Sequence, residues 1–207
     1  MISKIAVVTI KVFAVTSVLS GCDSTTSELG IDHAPQPDSP TFNQMNNEFD
    51  ELGMYFGRYS YREHIPDQLP VSGSLTYQGV MNISEHAAEQ ILGQAVLNVD
   101  FSNNSINGAF TNFKGDDGTA YQGYLAMNNG TVSTTEILGE ISGSLTSDSR
   151  HSQTVDAYGT MAGHFGGRDN VTHIFANNLN INWVTNAGMA TEETREMGGQ
   201  IRAYKDY

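Results

Sequence analysis

The chain has one cysteine among 207 residues. A single thiol excludes an intrachain disulfide and the cysteine-rich ligand sets of structural zinc sites. Basic residues are few, 10 Lys+Arg against 23 Asp+Glu, for a net charge of −13. That balance repels nucleic acid and anionic lipid headgroups. Catalytic signatures are missing as well. There is no G-x-S-x-G elbow, and Gly163-His164-Phe165-Gly166-Gly167 lacks the G-K-[ST] ending of a phosphate loop. Asp116 and Asp117 sit between glycines, as a turn prefers, without the alternating ladder of a calcium loop. No uninterrupted apolar run is long enough for a permanent transmembrane helix, because Lys11 breaks the best candidate. No catalytic residue, resident metal or cofactor is expected, and the chain is not read as an enzyme.

The first 21 residues carry Lys4 and Lys11, an apolar stretch and small residues before Cys22. That is the layout of a signal peptide. Leu19-Ser20-Gly21-Cys22 resembles the lipobox of bacterial lipoproteins. The resemblance implies cleavage before Cys22 and acylation of its thiol and its new amino terminus. Several acyl chains on one residue make a stable membrane anchor. Removing the signal leaves 8 Lys+Arg against 23 Asp+Glu, a net charge of −15. Residues 22–41 are polar, hold three of the five prolines and show no periodicity, so they read as a flexible tether. Asp23 resembles the signal that keeps enteric lipoproteins on the inner membrane.

Residues 42–68 form a lead-in. Phe42, Met45, Phe49, Leu52 and Phe56 approach helical spacing, which predicts a short helix. Tyr55, Tyr59 and Tyr61 cluster at its end, either packed on the domain or exposed toward a partner. From residue 69 to 207, alternation with period two dominates. One face collects Val71, Gly73, Leu75, Tyr77, Gly79, Met81 and Ile83. Residues 84–92, SEHAAEQIL, read as a short helix with Ser84 as N-cap. Further strands follow, separated by turn signals at residues 102–105, 115–118 and 128–130. The last carries Met197, Gly199, Ile201 and Ala203.

About eight closely spaced strands without intervening long helices predict an all-β antiparallel sheet. Eight is the number that closes into a small barrel filled by its own side chains. The stretch ILGEISGSL explains why a barrel is preferred to a sandwich. Ile137, Gly139, Ile141, Gly143 and Leu145 share one side, alternating large residues with glycine. Glycine weakens a strand interior. In a narrow lumen it lets the strand coil and leaves room for a bulky neighbour.

The segments LPVSGSLTYQG, AVLNVDFSNNSINGAF, GTMAGHFGGRDN and EMGGQI resemble the β-barrel lipoprotein family of transferrin-binding protein B. The Val99-Asp100-Phe101 triplet, the following turn and Gly108-Ala109-Phe110 match its paired strand motif. Residues 163–170 and 196–199 look like its late glycine segments. The resemblance spans about residues 69–207 and implies a lipid-anchored barrel, often on the outer surface of Gram-negative bacteria. It implies binding of a protein or of haem through loops, and outer-membrane location. It carries over no binding residue, and one barrel leaves transferrin a poor ligand. A structural envelope lipoprotein without an exchangeable ligand, or a haem-binding barrel, are the alternatives. Of six histidines, His164 and His173 can approach each other across a hairpin. They are open to metal or haem ligation, or to plain solvation. With Tyr59 and Tyr61 they make up the candidate ligand-binding set, and Cys22 is the lipidation site.

Overall fold

The computed structural model describes residues 39–58, 68–85, 89–149, 152–167, 171–186 and 188–205. The chain opens on helix α1, Phe42–Arg58. Thr41 caps it. Its hydroxyl accepts from the Gln44 amide at 3.3 Å, and Gln44 Oε1 accepts from the Thr41 amide at 2.8 Å. This reciprocal box satisfies two amide donors that helix geometry leaves without partners.

Eight strands follow: β1 Ser74–Glu85, β2 Glu89–Asp100, β3 Ser105–Gly115, β4 Ala120–Ser133, β5 Glu136–Ser147, β6 Thr154–Gly166, β7 His173–Thr185 and β8 Glu193–Lys205. Each pairs antiparallel with the next, and β8 pairs with β1, so the sheet closes into a barrel. The eight-stranded architecture matches the expectation from alternation.

Two sequence expectations fail. Residues 84–85 and 89–92, expected in a helix, lie in strands. Ser84 pairs with Gln90 and Glu85 with Glu89 across a hairpin. Only three residues lie between the paired glutamates, and sheet pairing overrides the local helix preference of Glu85, Glu89 and Leu92. Val71 does not share the inner face; it is 92% exposed and precedes β1. The odd-numbered parity does carry into β1, where Leu75, Tyr77, Met81 and Ile83 pack inward, but Val71 and Gly73, the latter at φ of +94°, lie before the strand begins and so outside its alternation.

The lumen is a packed core. Trp183, Tyr77, Phe110, Phe113 and Phe165 are its largest fully buried side chains. Full burial of a side chain of this kind contributes about 1.5–3 kcal/mol. Tyr77 packs on Phe165, which also meets Phe101 at 5.9 Å. The Tyr77 hydroxyl donates to the Val171 carbonyl at 2.8 Å, tying the β6–β7 connection across one barrel mouth. At the other mouth, Tyr121 meets Trp183 edge-on at 6.0 Å.

Glycine makes this packing possible. A Cβ on Gly139 would overlap the Met127 thioether, and one on Gly93 would overlap the Phe113 ring. At Gly159 the obstacle is backbone, the Asn180 carbonyl of the next strand. Glycine therefore serves both purposes that alternation suggested, seating bulky neighbours and letting coiled strands approach. Inward parity shifts at bulges. Ile106, Phe110 and then Phe113 are buried, with Asn112 at φ of +55° between them. The β4–β5 register slips between Asn128 and Thr131, beside Asn129 at φ of +56°. Asparagine tolerates this left-handed conformation better than most residues.

Gly139→Leu should overpack the lumen and lower unfolding free energy by about 1–3 kcal/mol. The thermal midpoint reports it. Met127→Ala on that background should recover part of the loss, because it vacates the contested volume.

Candidate functional site

With the lumen filled, ligand chemistry falls to the outer wall and the two mouths. Three outer regions hold distinctive groups.

The first is the seat of α1. Phe42, Met45 and Phe49 place a stripe along the helix that packs on Val80 and Leu92, outward residues of β1 and β2. Arg202 of β8 lies beside this cluster. Its Cζ sits 3.8 Å from the Phe49 ring centroid, and Nη1 donates to the Phe49 carbonyl at 2.6 Å. Nη2 donates to Gln200 Oε1 at 2.9 Å. Gly53 admits the guanidinium, since a Cβ there would overlap it. Arg202 Nε and Asn82 Oδ1 are buried without a hydrogen bond. Such orphans cost roughly 1–3 kcal/mol each.

The second region continues the same rung of the barrel. Register places Glu136, His164, Phe175 and Arg202 opposite one another on β5, β6, β7 and β8. His164 is half-buried and meets the Phe175 ring edge-on at 5.6 Å. Burial pushes its imidazole below the ordinary value. His173 starts β7 opposite Gly166, and a Cβ on that glycine would overlap its ring. His173 Nδ1 lies 2.9 Å from Thr172 Oγ1. Both histidines thus share the outer face of one hairpin, but the direct partner of His164 is Phe175. Among the described residues, no group of three His, Cys, Asp or Glu side chains is arranged to hold a metal ion. Tyr59, Tyr61 and Cys22 lie outside the described residues.

The third region is formed by the mouths. One mouth holds a recess of about 500 Å³ bounded by Leu69, Ser72, Leu75, Phe101, Val171 and Lys205. Asp100 borders it and folds onto the β2–β3 turn. The Asn103 side-chain amide first of all, with the Ser102 and Asn103 backbone amides, holds its carboxyl below the usual carboxylate range. That is turn chemistry, with the carboxylate engaged by the amides of the β2–β3 connection. The opposite mouth is acidic. Arg195 bridges Glu85 and Glu89 at 3.0 and 3.2 Å. Burial, and then Glu89, pushes the Tyr121 phenol up to about 12. A second recess, about 480 Å³, opens there between the β5–β6 and β7–β8 connections.

Sequence reasoning passed over Arg202, Phe175 and Tyr158. Each has a signal in the alternation, because each lies between two inward residues of its strand and so must point out. Comparison with known proteins assigns no family: no family model, curated protein or solved structure matches the chain.

Two outcomes test this geometry. Arg202→Ala should speed hydrogen exchange at the amides of Met45 to Phe49 by about tenfold, the equivalent of roughly 1.4 kcal/mol, with strand amides unaffected. His164 binds its proton more weakly folded than unfolded, so its contribution is complete above the unfolded value of 6.5 and declines as pH falls below it toward the folded value. His164→Gln should therefore flatten the drop in urea midpoint between about pH 7 and pH 5.

Proposed function

We propose that this chain is a non-enzymatic, lipid-anchored binding protein of the bacterial envelope, similar in class to the transferrin-binding protein B-like barrel lipoproteins. Acylated Cys22 holds it to the outer membrane. Residues 23–41 act as the tether, and the barrel presents its outer wall and mouths to a protein or small ligand. The observation that carries the reading is the closed barrel with an aromatic-filled lumen. A barrel filled in this way gives its lumen to its own side chains rather than to cargo. What remains is recognition by surface. The lipobox-like stretch before Cys22 supports the anchor, and the Val99-Asp100-Phe101 and Gly108-Ala109-Phe110 motifs support the class.

The anchor is tested first. Cys22→Ser should move the chain from the membrane fraction to the soluble fraction and abolish palmitate labelling. Antibody labelling of intact cells should detect the barrel if it is displayed outward. Labelling only after the outer membrane is opened would return the chain to the periplasmic side, where Asp23 points.

A further inference from the structure

The outer wall of β5, β6 and β7 differs from the rest of this acidic chain. The three strands contain no lysine and no arginine. Val155, Ala157 and Met161 point into the core, so Asp156, Tyr158 and Thr160 point out. Tyr158 is 51% exposed. It stands opposite Ser142 on one side and Asn182 on the other. Directly opposed residues place their Cβ atoms about 5 Å apart. Among the described residues, no side-chain hydrogen bond or ring contact engages Tyr158, Ser142, Thr160 or Asn182. Asp156, whose Oδ1 accepts from the Ser144 hydroxyl, links this tyrosine to the 480 Å³ recess. That recess is walled by Ser149, Ser152, Gln153, Asn186 and the exposed Met189. Thr154 to Tyr158 spans about 13 Å of strand, long enough for an extended ligand.

We propose that this wall binds a neutral glycan, one pyranose ring stacked on Tyr158 and the adjoining unit seated in the recess. The inference deepens the binding-protein reading above and rests on it. A pyranose has an apolar C–H face and a rim of hydroxyls. The first fits a flat, amphipathic tyrosine ring. The second fits paired donors and acceptors such as the Asn182 and Gln153 amides, with hydroxyls from Ser142 and Thr160. The mixture of one apolar platform and a few placed polar groups is that of a small-ligand site. Charge narrows the class. Asp156 and Glu140 sit near Tyr158 without any cation on these strands, so sialylated or phosphorylated glycans are repelled. A protein partner fits less well, because Tyr158 and the exposed Leu138, four residues along β5 from the Ser142 that Tyr158 opposes, stand apart among hydroxyls and amides and make no contiguous apolar patch.

The test titrates the full chain, held in a non-sugar detergent, with cellotriose, maltotriose and triacetylchitotriose by calorimetry. At least one should saturate with a dissociation constant at or below about 1 mM, and 3′-sialyllactose should bind about tenfold more weakly. Tyr158→Ala should lose about tenfold in affinity and Tyr158→Phe should stay within about threefold, because the ring supplies the platform. Tyr204→Ala, an exposed tyrosine elsewhere on the barrel, should change nothing. An unchanged thermal midpoint certifies each variant as folded. No saturation by any neutral trisaccharide at about 10 mM, or full affinity in Tyr158→Ala, overturns the glycan assignment. Either failure with palmitate labelling of Cys22 intact leaves the envelope reading standing. Sugar binding by a chain that carries no lipid would keep the glycan site and remove the anchor.

Discussion

Closure of the sheet around a lumen too narrow for uniform packing governs this molecule. Eight strands leave little interior width, and the described strands fill it with aromatic and long aliphatic side chains. Each large residue then needs a small one on a neighbouring strand. Met127 depends on Gly139, and Phe113 depends on Gly93. Where two strands approach most closely, as at Gly159 and the Asn180 carbonyl, even a methyl group is too much. The usual weakness of glycine in strands is thus offset by dispersion contacts that no larger residue would permit.

This packing decides which groups face solvent. A filled barrel has only an outside, and that outside is divided. Helix α1 covers part of β8, β1 and β2, clasped by the guanidinium of Arg202 between Phe49 and Phe175. Among the described residues nothing covers the wall of β5 to β7, which has acidic groups but no lysine or arginine and is rich in hydroxyls and amides. Its residues point outward because the core claims every alternate position. The same alternation that builds the core therefore sets the spacing of surface groups along and across the strands.

Much of the fold was legible in the sequence, for a physical reason. Period-two alternation is imposed by burial on one side, so Ile137, Gly139, Ile141 and Leu145 announced their strand and its inner face. The short helix was legible from Phe42, Met45 and Phe49. Thr41 and Gln44 add a capping signal that alternation alone did not require. The failures are equally instructive. The β1–β2 hairpin looked helical because Glu85, Glu89 and Leu92 favour helix locally, while the pairing that prevails extends along two twelve-residue strands whose alternation reaches well beyond that window. Val71 looked inward because a left-handed glycine two residues on leaves no mark in a pattern of polarity. Site residues were less legible. His164 could be assigned to the outer face, but its aromatic partner Phe175 depends on register across a bulged hairpin. The Arg202 clasp joins residues 153 positions apart, a distance that no local pattern spans.

The ring is completed by its last strand, since β8 pairs with β7 on one side and with β1 on the other. Until β8 is available, β1 and β7 each keep an unpaired rim of amides and carbonyls, and the aromatic interior stays open at a seam. Such topology delays the reward of folding until distant ends of the chain meet. The large interior side chains therefore gain their full burial only when the final strand joins the first.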